Sequence, residues 1–161
     1  MFQQLMTFEA ARTGFQQMDE NAYERHLAAA WFERALRQGH SKRLTAGLLG
    51  RSRKLLDLSK VACKVLGQHY RGVQTVALHH IRGSENRTLE FDADFNPTEE
   101  HIEQRWMSVA VAYMKGVKLP PVALVQVGDT YYVRDGHHRI SVAHTLGQHE
   151  IEAEIIVWDT A

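Results

Sequence analysis

The sequence predicts an α+β fold with two regions: a basic helical stretch over residues 1–71 and a domain of alternating strands and helices over residues 72–161. Two changes near Gly72 carry that prediction. The hydrophobic period is helical before this point and then shifts to short runs rich in β-branched residues. Charge shifts with it: residues 1–71 hold 12 Lys/Arg against 6 Asp/Glu, and residues 72–161 hold 7 against 13, so a formal net charge of zero hides halves of +6 and −6. A chain of 161 residues, 44% hydrophobic and 24% charged, has the composition of an ordinary globular protein.

The elements follow in order. In DENAYERHLAAAWFERALRQG, Asp19 is placed as an N-cap, Tyr23, Leu27, Trp31 and Ala35 recur at helical spacing, and Gly39 is placed as the stop. After the polar HSKR, a second helix is expected in RKLLDLSKVACKVLG, with Leu55, Leu58, Ala62, Val65 and Leu66 on one stripe. From Val73 the expected order is β, short β, α, β, β, α, β. VQTVALHHI supplies the first strand, and VALVQV and TYYV form a hairpin closed by Gly128-Asp129. In NPTEEHIEQRWMSVAVAYMKG, Asn96 caps, Pro97 and Glu99 open the helix, Ile102, Trp106, Val109 and Tyr113 form its buried stripe, and Gly116 ends it. HHRISVAHTLG is a short helix burying Ile140, Val142, Ala143 and Leu146 and closed by Gly147. IEAEIIVW is a final strand with Ile151, Ala153, Ile155 and Val157 on one face.

Several function classes are disfavoured. The one cysteine, Cys63, cannot form an internal disulfide and has no metal-binding cysteine near it, which points to a cytoplasmic protein. No apolar run approaches the roughly 20 residues a membrane span needs. Ten histidines invite a zinc reading. However, neighbours such as His79 and His80 in a strand would point to opposite faces, and no metal site is assigned.

The segment richest in chemistry is Arg134-Asp135-Gly136-His137-His138-Arg139, where a strand turns through glycine into a helix. Such a turn presents unpaired backbone N–H groups and the positive end of a helix dipole, which together favour an anion, phosphate above all. Gly136 permits close backbone approach, Arg139 offers a bidentate fork, and the histidines add donors. Asp135 either caps the helix or holds a cation such as Mg²⁺ that accompanies phosphates. The same turn could also do no more than cap a helix.

The stretch LPPVALVQVGDTYYVRDGHHRISVAHTLGQHEIEAEII, with SENRTLEFDADFNPTEEHIEQRW upstream, resembles the ParB/sulfiredoxin-like superfamily over residues 73–158. The resemblance implies a mixed sheet with helices, preceded here by an all-helical extension, and a nucleotide (ATP, ADP or CTP) bound through Arg87, Gly136, His137, His138 and Arg139. The loop is most similar to the Asp-Gly-His-Thr-Arg of free-serine kinases. His137 stands where sulfiredoxins carry their cysteine, so the resemblance does not extend to sulfinic-acid reduction. Phosphoryl transfer or nucleotide hydrolysis would need a carboxylate near the acceptor. Glu85, Asp92 and Asp94 are the candidates for that task, and Glu85, Asp135 and His137 are assigned to the catalytic group, with Glu85 and Arg87 ranked behind the loop. An alternative function is a DNA-associated or regulatory module whose basic half, including Lys42, Arg43, Arg51, Arg53, Lys54, Lys60 and Lys64, contacts DNA or a protein. The opposite halves could also attract within one chain or between two in a homodimer.

Overall fold

A computed structural model describes residues 2–61 and 65–160, with side chains described from Glu20 onward. The protein is α+β: one six-stranded mixed sheet with helices stacked against it. The elements are α1 (Phe2–Leu48), β1 (Leu56–Asp57), α2 (Leu58–Val61), β2 (Val65–Ala77), β3 (Ile81–Ser84), α3 (Glu103–Met114), β4 (Val122–Val127), β5 (Thr130–Asp135), α4 (His137–Thr145) and β6 (Glu150–Thr160). The order expected from Val73 onward is the order found.

Strands lie in the order β1-β3-β5-β4-β6-β2. The β1/β3, β3/β5 and β4/β6 pairs are parallel, whereas β4/β5 and β2/β6 are antiparallel. Val127 pairs with Thr130 across Gly128-Asp129, and Gly128 takes the left-handed φ of 58° that this two-residue loop requires. On one face of the sheet, α4 and α3 pack together and α1 packs on α3. The core between them includes Phe32, Trp106, Leu124, Val133, Ile140, Val142 and Ile155. Both faces of β4 are covered, because Leu58 of α2 packs with Val125, Val127 and Tyr132 on the other side. Ala153 and Ile155 of β6 are buried in the main core, with Ile151 and Val157 packed against it, so that strand faces as its alternation predicts.

The structure departs from expectation in four places, three of them in the N-terminal half. First, α1 is continuous through Asp19, Gly39 and HSKR. Gly39 is buried against the segment after β3, where an added Cβ would lie 2.5 Å from the Pro97 carbonyl oxygen. Its missing side chain makes room for a neighbour and does not end the helix. Second, the buried residues of α1 among those described are Ala28, Phe32, Ala35, Gly39 and Ala46; of the expected stripe Ala35 is buried, Leu27 and Trp31 are half-buried and Tyr23 is exposed. Third, the helix expected over Arg53–Gly67 is absent. Residues 56–57 join the sheet, a single turn covers Leu58–Val61, and β2 begins at Val65, while Ala62, Cys63 and Lys64 lie outside the described residues. Leu55 and Leu58, three residues apart, fit a helical stripe, but they enter different clusters of the core. Fourth, Asn96 does not cap α3; its amide donates to both carboxylate oxygens of Asp92, at 3.1 and 3.0 Å, and a 3₁₀ turn over Glu100–Ile102 leads into the helix.

The stop signals of the second half hold. Gly116 and Gly147, at φ of 65° and 71°, follow α3 and α4 in left-handed conformation. Leu146, placed on the buried stripe of α4, is 36% exposed. Among the described residues no helix is long and apolar enough to cross a membrane.

Candidate functional site

Parallel pairing of β3 with β5 sets Ser84 beside Val133, so both strands end on the same edge of the sheet. The segment after Ser84, the Gly136 turn and the start of α4 therefore gather there. Antiparallel β4 begins at that edge, with Ala123 opposite Asp135, and brings Pro120 and Pro121 to it.

Gly136 is the N-cap of α4 at φ 101°, a conformation strained for any other residue, and no side chain caps the helix. An added Cβ would lie 2.5 Å from Val122 Cγ1. The Ile140 N–H reaches the Gly136 carbonyl at 3.0 Å, so the N–H groups of His137, His138 and Arg139 precede the first intrahelical bond.

His137 is buried and 2.8 Å from Ser84 Oγ through Nε2. That hydroxyl oxygen already accepts the N–H groups of Arg87 at 2.8 Å and Asn86 at 3.2 Å. With both lone pairs used, its proton goes to Nε2, which places the imidazole proton on Nδ1 and keeps the ring neutral. Burial, reinforced by the Arg87 charge, lowers the His137 pKa from 6.5 to about 4. His138 is lowered to about 4 by burial and then by Arg87 and Arg105. Its Nε2 is buried without a partner, although the residue is only 8% exposed. Phe91 holds both rings, stacked on His137 at 6.0 Å and edge-on to His138 at 5.6 Å.

The remaining expected residues divide by partner. Arg139 turns back to the chain: it donates to the Pro120 carbonyl, to the Pro121 carbonyl at 3.0 Å and to Asp135 at 2.6 Å. Its guanidinium thus locks the turn to the start of β4. Asp135 is otherwise exposed, with a side chain 74% accessible. Glu85 receives two bonds from Arg134, at 3.0 and 3.3 Å, and Arg134 lies over Trp158 at 5.9 Å. Arg87 pairs with Glu90 at 2.7 Å and remains partly open. Asp92 is 1% exposed and its carboxylate accepts the N–H groups of Asp94 and Asn96, so it shapes the loop. Asp94 is held by Lys42 and Arg53. His144 stacks on Phe95 at 6.1 Å.

Sequence reasoning missed Ser84 and Arg105. Ser84 opens the SENR segment but carries no motif of its own. Arg105 precedes Trp106 on α3, and its helical phase could have placed it on the edge of the buried stripe, towards α4. Its side chain is exposed and has no hydrogen bond or ion pair among the described residues. His79 and His80 lie on a 3₁₀ turn, not in a strand, with rings 4.1 Å apart. No group of three or more metal-type side chains among the described residues could hold an ion.

No family model matches the chain. No curated protein matches it either. Among solved structures, a sulfiredoxin from Arabidopsis thaliana is similar at 22% identity and a TM-score of 0.39, covering 52% of this chain and 82% of that one. A likeness of that size carries no argument about function, and the α+β class rests on the sheet described above.

Proposed function

We propose that the protein binds a nucleoside phosphate at the amino end of α4. The observation that carries this reading is the uncapped helix start beside a buried, unpartnered His138 Nε2, with Arg87 and Arg105 close enough to act on the same ring. The N–H groups of residues 137–139 would take phosphate oxygens, Arg87 and Arg105 would supply charge, and neutral His138 would give or accept one hydrogen bond. Arg139 serves by holding Gly136 in its left-handed turn. The His137 ring, locked to Ser84, orients the helix start, and this residue meets the ligand only through its backbone N–H. Asp135, with most of its side chain in solvent, suits a Mg²⁺ ion carried in by the phosphates.

This arrangement supports binding more directly than turnover. Glu85 is engaged by Arg134, so hydrolysis or phosphoryl transfer through it would require that pair to open. Calorimetric titration with ATP, ADP, CTP and GTP, with and without Mg²⁺, tests the proposal. At least one nucleotide is expected to bind, and Arg105→Ala and His138→Ala each to weaken it about tenfold, the value of one charge-assisted hydrogen bond. Absence of binding at millimolar nucleotide, or variants equal to the parent, would overturn it.

A further inference from the structure

We infer that a second anion site lies next to the first: a cleft of about 260 Å³ between residues 51–54 and residues 88–92 that receives a phosphate-bearing ligand. Arg43, at the end of α1, joins Arg51, Arg53 and Lys54 along one wall; Thr88, Leu89 and Phe91 form the other. The inference stands apart from the α4 reading, although Phe91 touches both sites.

The charge balance points to an anion. Four cationic side chains line the cleft against two carboxylates, Asp92 and Glu99. Asp92 is already satisfied by the donors of its own loop. Arg43, Arg51 and Lys54 are exposed and have no side-chain hydrogen bond or ion pair among the described residues, and Arg53 Nε is buried without a partner. Arg53 shares Asp94 with Lys42, and Glu90 is taken by Arg87 and His101, so Glu99 is the one carboxylate of the cleft without a side-chain partner among the described residues, against the three unpaired cations Arg43, Arg51 and Lys54. Three arginines facing one cleft favour phosphate, whose oxygens match the planar guanidinium fork. Leu89 is 69% exposed on the opposite rim, a surface on which a sugar can rest. The walls are fixed relative to each other by an antiparallel backbone bridge between Lys54 and Asp92 and by Ala93 N–H donating to the Arg53 carbonyl at 2.8 Å.

The phosphate can belong to a nucleic-acid backbone or to a free compound, and two probes separate these sources. A labelled single-stranded DNA of about 12 nucleotides, a length that single-strand grooves accommodate, is followed by anisotropy, and inorganic pyrophosphate by calorimetry. Both are used on the full chain across a salt series. At least one probe is expected to bind. Combined Arg43→Ala, Arg51→Ala and Lys54→Ala should weaken that binding at least about tenfold and, for DNA, flatten its salt slope by about 2, the share of three lost cations. These side chains make no hydrogen bond or ion pair among the described residues, so the variant should retain its circular dichroism spectrum. Preference for DNA assigns the backbone as source; preference for pyrophosphate assigns a free phosphate compound. Failure of both probes at low salt, or a triple variant equal to the parent, overturns the inference. If Arg105→Ala removes binding while the triple variant keeps it, the ligand sits at α4: the cleft is then refuted and the α4 reading survives.

Discussion

His137 and His138 are imidazoles kept neutral by burial at the start of a helix, whose positive dipole end also disfavours a protonated ring. Both have folded pKa values of about 4 against 6.5 in the unfolded chain. Between those values the unfolded state binds more protons, so stability is complete above pH 6.5 and is lost as pH falls towards 4. A ring shifted this far contributes roughly 3 kcal/mol to that loss. Melting followed by circular dichroism should show Tm falling by about 10 °C from neutral to pH 4.5, and a flat profile would contradict the neutral pair. Gly136 and both histidines were legible because a strand, a glycine and a helix start follow one another in six residues. The Ser84 lock was not legible, since it joins residues 53 positions apart.

Gly39 illustrates how an element overrides local preference. Glycine inside a helix is ordinarily worse than alanine by about 1 kcal/mol, so Gly39→Ala would be expected to stabilise α1. Here the new Cβ would meet the Pro97 carbonyl oxygen at 2.5 Å, and the sign reverses. Urea unfolding should show Gly39→Ala destabilised by about 2 kcal/mol, the cost of overpacking; a raised midpoint would show that α1 and the Pro97 segment do not pack as described. The ends of α3 and α4 could be read from Gly116 and Gly147 because a left-handed C-terminal residue is a local requirement. The fate of residues 53–67 could not be read this way. Their apolar spacing fits a helix, but β2 finds a partner in β6 along its whole length, and that pairing outweighs a modest helical preference.

Across the whole molecule, the opposed halves meet within one chain at Asp94, which Lys42 approaches from α1 and Arg53 from the following segment. Burial alone would raise the Asp94 pKa, but the two cations overcome it and hold the carboxyl below its ordinary 3.8. Its stabilisation is therefore present above that value and disappears as pH falls through the folded pKa, below the window in which the histidines act. Asp94→Asn should cost about 1 kcal/mol, because these side chains remain partly in water. It should also reduce the loss of stability on adding NaCl, measured by urea unfolding at low and high salt. An unchanged salt response would remove the link. The order of strands and helices after Val73, the hairpin turn and the Gly136 turn from strand into helix were determined by the sequence alone, since each depends on periodicity or on backbone freedom within a few residues. Tertiary structure alone decided that Arg139 is spent on the Pro120 and Pro121 carbonyls and Glu85 on Arg134. It also decided that the Arg105 charge acts on the buried His138 ring, and that Arg43, Arg51 and Lys54 line one cleft. Those outcomes depend on which side chains the folded sheet brings close together, and no pattern along the chain encodes that distance.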